Sequence, residues 1–502
     1  VENAAEAPFF HIQEYRITGS TLLSELEKGR AVYPFLGPGR TATDVESARA
    51  ALEKTYKDKG FETVFVEAPV PAPRRGVVEL RVQETPVGRV RVTGARHFLP
   101  SRVLKGAPSL VPGKTPHFGE IQRDLLALNQ WPDRRVTPAL KAGAEPGTVD
   151  IDLNVEDKLP LHGSLELNNR SSQGTTDLRL NASLSYNNLW QLGHSLGASF
   201  QGSPESVSEV QVFSGYYLAR FASLPGLSLI LQGTKQNSNV STLGGSAVAG
   251  RGDILGTRVL LSLPPGNGFY HSASFGFDSK RFEQVLNAGA AELTTPITYY
   301  PVTLGYSAGW SRTRSQTDLN AGVVFSFRGA GSDDAEFDSN RYNARSSFVY
   351  LRADASHTAE LPAGTQLHAK VQGQVSSQPL VASEQFTGGG LGSVRGYLEA
   401  EAVGDQGVLG SLELRSPSLL ARAKRKDTEW RIYGFFDAGL LALREPLPEQ
   451  KSRFELASFG IGTHLQIFDL VHGSLDMGLP LKSAAETQSW DPRFTFRLWS
   501  EF

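Results

Sequence analysis

The sequence predicts a membrane-spanning barrel of about sixteen antiparallel β-strands, preceded by two small α+β modules. Three observations carry this reading. From Leu161 onward period-2 alternation of apolar and polar residues replaces helical periodicity. The alternating runs are roughly 9–14 residues long, against ~5–6 for a soluble strand and ~9–11 for one that crosses a membrane in a barrel. No run of ~18 apolar residues exists anywhere, so any crossing is made by strands rather than helices.

The first third mixes helix and strand signals. After an N-terminal tail over residues 1–10, one module is expected at 11–84 and a second at 85–158, each ordered β-α-α-β-β. In the first, a strand at His11–Thr18 precedes helical spacing at Leu22–Leu26. A helix opening at Thr43 then places Val45, Ala48, Leu52 and Tyr56 on one face; Thr43 with Glu46 suits a capping box, and Gly60 ends it. Strands follow at Thr63–Glu67 and Val77–Val82, with Pro71–Pro73 in a loop. The second module repeats the order with a strand at Val87–Val92, helical stretches at Ser101–Leu104 and Phe118–Asn129, and strands at Arg134–Val136 and Val149–Val155.

The remainder, 159–502, is assigned to the barrel. Strand starts are marked at Leu161, Thr175, Leu192, Ser208, Gly226, Asp253, Gly268 and Thr298. The others are Gln316, Ala344, Gly364, Asp405, Thr428, Ser452, Leu470 and Asp491. The faces separate well: Leu178, Leu180, Ala182, Leu184 and Tyr186 oppose Asp177, Arg179, Asn181, Ser183 and Ser185. A large all-β domain without a helix would be unusual in water.

Composition excludes several functions. Lys and Arg total 50 against 52 Asp and Glu, a net charge of -2, so no basic field suits nucleic acid. Cysteine is absent, which removes thiol catalysis and Cys-ligated zinc and fits an oxidising compartment. The ten His residues show no paired ligand spacing, so neither metal nor other cofactor is expected. The chain opens Val1-Glu2-Asn3 without a Met or a leader, as a processed or trimmed chain would.

Two motifs identify a family resemblance. Val394-Arg395-Gly396-Tyr397 follows Gly388-Gly389-Gly390-Leu391-Gly392-Ser393, and Phe435-Phe436-Asp437-Ala438-Gly439 lies in a later strand. Together they resemble the BamA-type outer-membrane superfamily. The two leading modules look like POTRA domains, which narrows the resemblance to two-partner secretion transporters, the TpsB family. It covers nearly the whole chain.

The resemblance implies that loop 377–404 folds into the barrel lumen, carrying Val394, Arg395, Gly396 and Tyr397, and that Arg395 pairs with Asp437 on a wall marked by Phe435 and Gly439. A lumenal guanidinium needs such an acceptor. The alternating set Phe494, Phe496, Leu498 and Phe502 resembles the signal read by the barrel assembly machinery, a second partner beside outer-membrane lipid. The implied function is ATP-free export of a polypeptide, a β-helical client in this family, from periplasm to cell surface by a monomer. Capture would occur by strand addition, with Thr115–Leu128 and Val149–Val155, the helix and edge of the second module, as candidate contacts. Family members often carry a plug helix ahead of the first module; here it is either removed or replaced in gating by the folded-back loop. The rival reading is a factor that inserts other barrels into the outer membrane.

Two further motifs are set aside. Gly193-His194-Ser195-Leu196-Gly197 matches a nucleophile elbow, but the turn-like residues before it and the alternation after it give neither the strand nor the helix an elbow requires. Ser195 is read as a barrel-strand residue, and no enzymatic activity is expected. Arg251-Gly252-Asp253 is read as an ordinary turn.

Overall fold

The computed structural model describes residues 9–69, 75–221, 224, 226–243, 246–288, 291–420 and 427–502. The Pro71–Pro73 loop and most of the N-terminal tail lie outside these residues. The chain divides into two units, Val1–Pro160 and Leu161–Phe502.

The first unit holds two modules of one topology. Strands β1 (Phe10–Ile12) and β3 (Gly37–Arg40) pair with each other beside the first sheet. That sheet contains β2 (Glu14–Thr18), β4 (Val64–Glu67) and β5 (Val77–Glu84) in the order β2-β5-β4, covered by helices α1 (Glu25–Val32) and α2 (Ala42–Asp58). The second contains β6 (Val87–Thr93), β7 (Arg134–Ala142) and β8 (Val149–Asp157), ordered β6-β8-β7, with α3 (Pro100–Lys105) and α4 (Phe118–Leu128). In each sheet the last strand sits in the centre, parallel to the first and antiparallel to the other. Val149–Val155 is therefore a central strand and not an edge, and the edges of the second module are β6 and β7.

Burial explains these elements. Val45, Ala48, Leu52 and Tyr56 of α2 are fully buried against Val64, Val78 and Leu80. At ~1.5–3 kcal/mol for each fully buried large side chain, that stripe outweighs the modest propensity of the helix. The cap lies two residues earlier than the sequence reading placed it: Thr41 is the N-cap and Asp44 completes the box. The two modules also close alike. A Cβ on Gly19 would run into the Val82 carbonyl oxygen, and one on Gly94 into that of Val155. The carboxylates that end the central strands then accept the next backbone N–H groups: Glu84 from Thr21 and Leu22, Asp157 from Arg96, His97 and Phe98.

The second unit is a closed barrel of sixteen antiparallel strands. In chain order they are β9 (Leu161–Asn168), β10 (Arg179–Leu189), β11 (His194–Gly202), β12 (Val210–Arg220), β13 (Leu227–Leu243), β14 (Ser246–Ser262) and β15 (Phe269–Ala288). The eighth is broken at Tyr300-Pro301 into β16 (Ala291–Tyr299) and β17 (Val302–Arg312), and β15 pairs with both halves. Then come β18 (Ser315–Phe325), β19 (Val349–Glu360) and β20 (Gln366–Ser376). After a loop containing the short pair β21 (Phe386–Gly388) and β22 (Ala402–Gly404), the wall resumes with β23 (Gln406–Arg415), β24 (Thr428–Ala442), β25 (Arg453–Ile467), β26 (Val471–Pro480) and β27 (Arg493–Glu501). Outward residues such as Leu165, Leu304, Leu412, Phe436 and Ile461 are exposed and apolar, as lipid demands, while their neighbours point inward.

Three local readings are corrected. Helix α5 (Asp334–Asn340) interrupts the supposed all-strand region, and the strand marked at Ala344 begins at Val349. The strands marked at Asp253 and Thr298 begin at Ser246 and Ala291. Arg251-Gly252-Asp253 is thus no turn: it lies inside β14, with Asp253 opposite Lys235 on β13.

Candidate functional site: a loop inside the barrel

The segment between β20 and β23 does not stay outside. Arg395 contacts Ser411, Glu413 and Asp437, which alternate with the lipid-facing Leu412, Leu414 and Phe436. A residue that touches the inward set of a closed barrel is in its lumen.

Arg395 is 6% exposed and Asp437 0%. The guanidinium grips the carboxylate with two parallel bonds, Nε to Oδ2 at 2.7 Å and Nη2 to Oδ1 at 2.8 Å. The Arg395 backbone N–H adds a third to Oδ2 at 3.0 Å. Nη1 donates to Glu413 at 2.6 Å, and Asp476 lies 3.7 Å away. The Phe435 ring lies under the guanidinium, 3.5 Å from its carbon to the centroid. One planar cation thus meets carboxylates and a ring face, which lysine could not do.

The neighbouring motif residues pack around this contact. Val394, fully buried, and Tyr397 join Phe386, Ala402, Leu409, Leu441 and Leu456 in an apolar cluster. The Tyr397 hydroxyl donates to the Lys482 carbonyl at 2.7 Å. Gly396 has φ of 88°, and a Cβ there would press on the Gly478 backbone at 3.1 Å, so main chain meets main chain where the tip touches β26. Gly439 leaves the space that Leu409 fills.

Sequence reasoning missed Glu413, Ser411 and Asp476. The available signal was a carboxylate at an inward position between Leu412 and Leu414. It also missed the anchors at the loop's root. Glu384, 1% exposed, accepts from Lys280 (2.6 Å), Tyr299 (2.6 Å) and Tyr350 (2.7 Å). Asp405, 0% exposed, accepts from the N–H groups of Leu380 (2.9 Å) and Arg444 (2.7 Å).

The remaining marked residues lie elsewhere. Phe494 and Leu498 face outward on β27, Phe496 is half-buried, and Phe502 follows the strand, exchanging backbone bonds with Gly163 at 3.1 and 3.2 Å. Ser195 is on β11, buried, with Arg220 Nη1 at 3.3 Å; a guanidinium cannot act as its base. Among the described residues no group of His, Asp or Glu could hold a metal ion.

Residues 10–85 match the ShlB-type POTRA domain, and residues 286–465 match the family described as haemolysin secretion/activation protein ShlB/FhaC/HecB. The chain thus carries a TpsB-family domain together with a ShlB-type POTRA domain. Among similar proteins of known role, the outer membrane transporter CdiB of Dickeya dadantii is 22% identical over 433 residues, covering 82% of this chain and 73% of that one. CdiB of Escherichia coli is 25% identical over 183 residues, 36% of this chain and 31% of the relative. The solved structure of CdiB from Escherichia coli superposes with a TM-score of 0.68 at 20% identity, over 100% of this chain and 92% of the other. BamA from Haemophilus ducreyi, lacking POTRA domains 1–3, gives a TM-score of 0.60 at 15% identity, over 98% of this chain and 100% of that one. The protein is an outer-membrane transporter, with its barrel in the outer membrane and its POTRA region in the periplasm.

Proposed function

We propose that the protein exports a partner polypeptide through its lumen without nucleotide hydrolysis, and that loop 377–404 is the element displaced to let it pass. The observation that carries this reading is the position of that loop: it occupies the lumen of a closed barrel and is pinned there chiefly by Arg395 on Asp437 and Glu413. Many buried contacts favour the resting state, so opening is coupled to binding.

The second POTRA module offers a place for that binding. Strand β7 is an edge, but its first half is already occupied. The Asn129 side chain takes the N–H and carbonyl of Val136 at 2.6 and 2.9 Å, and Pro138 has no N–H. That leaves the backbone around Leu140, beside α4. Leu140 is 43% exposed and Leu126 of α4 69%. A client strand adding there gains backbone bonds from β7 and apolar contact from both leucines. Folding of the client outside opposes its return.

Two experiments test this. Leu140→Cys, unique in a chain without native cysteine, should cross-link to the client during export. Protein reconstituted in liposomes should translocate the unfolded client with no nucleotide present; an absolute requirement for ATP overturns the reading.

A further inference from the structure

The barrel is not equally paired all round. Strands β27 and β9 close it over a ladder of five residue pairs, from Arg497–Asn168 to Glu501–Ser164, extended at its ends by the bonds of Phe502 with Gly163 and of Phe496 with Asn169, while every other neighbouring pair of barrel strands has a ladder of at least eight among the described residues. A short ladder in lipid is the costliest place to lose further bonds, because no water replaces them.

The lumenal loop reaches both flanks of this seam. Beyond the end of β9, Arg170 Nε donates to Glu399 at 2.7 Å, and the Glu399 N–H donates to the Ser171 carbonyl at 3.0 Å. Glu399 is 6% exposed, whereas the Arg170 side chain keeps 32% of its surface, so the pair is buried on the carboxylate side. In the loop that leads from β26 into β27, Glu401 accepts from the N–H groups of Glu486 at 2.9 Å and Thr487 at 2.7 Å, and from the Thr487 hydroxyl at 2.5 Å. One stretch of loop, two residues apart, is thus bonded to the chain leaving the first strand and to the chain entering the last.

We propose that Glu399 and Glu401 are positioning residues that strap the seam from inside. The loop cannot leave the lumen without freeing both flanks, and the seam cannot part without pulling the loop from one of them. Release of the loop and loosening of the seam are then one reciprocal equilibrium. The Arg395 contact does not supply this coupling, because Asp437, Glu413 and the nearby Asp476 lie on β24, β23 and β26, none of them a strand of the seam. The inference rests on the gated-pore reading above, but its test uses ion conductance and needs no client.

The full chain carrying Leu167→Cys and Leu498→Cys, which oppose each other across the seam, is placed in planar bilayers with and without Glu399→Gln plus Glu401→Gln. With the cysteines reduced, the double Gln variant should raise the open fraction by at least about tenfold, since several charge-assisted bonds are lost. Oxidising the pair should lower the open fraction where the glutamates are intact and leave the double Gln variant unchanged, because the strap that couples seam to loop is then gone. A merely structural role of the glutamates would not make the effect of a cross-link elsewhere depend on them. Heat-modifiable migration verifies insertion. Should the double variant fail to insert, Arg170→Glu alone against Arg170→Glu with Glu399→Arg carries the test: the single variant should be open and the exchange quiet. An unchanged open fraction in the double Gln variant, or an effect of oxidation that is the same with and without the glutamates, overturns the proposal. Loss of export with these conductance results intact sinks only the export reading.

Discussion

Arg395→Ala is expected to free the lumenal loop without unfolding the barrel. The substitution removes two bonds to Asp437, one to Glu413 and one to Ser411, along with the contact on Phe435. Breaking a buried pair by removing one partner costs ~3–5 kcal/mol. Here the cost falls unevenly. Glu413 keeps Arg415 at 2.7 Å, and Asp437 keeps only the backbone N–H of residue 395. Asp437→Ala is milder, because Arg395 retains Glu413 at 2.6 Å and the neighbouring Asp476. The double variant should fall short of the sum of the singles by ~0.5–3 kcal/mol, the range of coupling between residues in direct contact. The assay is a four-variant cycle: client export at matched surface levels, with the open fraction in planar bilayers read in parallel. Additive effects in both readouts, or parent-like export from Arg395→Ala, refute the idea that this pair holds the loop.

Other outcomes follow from the same geometry. Glu384→Gln should leave Lys280 without its carboxylate at the loop's root and lower the temperature at which folded migration on a gel is lost; Glu384→Asp should recover part of it. Gly478→Val should push the loop tip off β26 and expose residues near 396 to protease, while Gly473→Val, with open space around its Cβ, should not. Ser195→Ala should leave export unchanged, and a selective loss of esterase activity would contradict that. Asp157 gives a pH effect: burial opposes its ionisation, but three backbone N–H donors outweigh this and hold its carboxyl below the usual range. A folded value below the unfolded one stabilises the second module above about pH 4 and is lost as pH falls through the folded value. Trp131 fluorescence melts between about pH 7 and pH 3 should show this decline, and Asp157→Asn should flatten it.

Much of the fold was legible because lipid and water impose opposite demands on successive residues. Leu412, Leu414 and Phe436 must be apolar, so β23 and β24 announce themselves. The signal faded where that demand ends. Residues 246–252 of β14 read Ser-Ala-Val-Ala-Gly-Arg-Gly, mostly small residues with no lipid-facing alternation, and the RGD tripeptide looked like a turn. Helix α5 was overlooked although Asp333 and Glu336 form a capping box, because seven residues are too few for periodicity to show. The centre and edge of the second module were exchanged for a different reason: strand order depends on the parallel crossover from β6 to β8, which no local pattern encodes. At the site, Arg395 and Asp437 could be matched by motif, whereas Glu399 and Glu401 carry meaning only once the two flanks of the seam are seen to meet them.

The four strands β13 to β16 have a consequence for how this protein meets its surroundings. Strand β13 runs for 17 residues and β15 for 20, which at ~3.3 Å per residue far exceeds the ~25 Å apolar band of such barrels. The outer ends of these strands therefore stand beyond the bilayer, joined by the backbone ladder. Lipid does not constrain residues at that height, so substitutions there cost least to insertion. Variation gathered there would alter what the cell displays while leaving the transporter beneath it untouched.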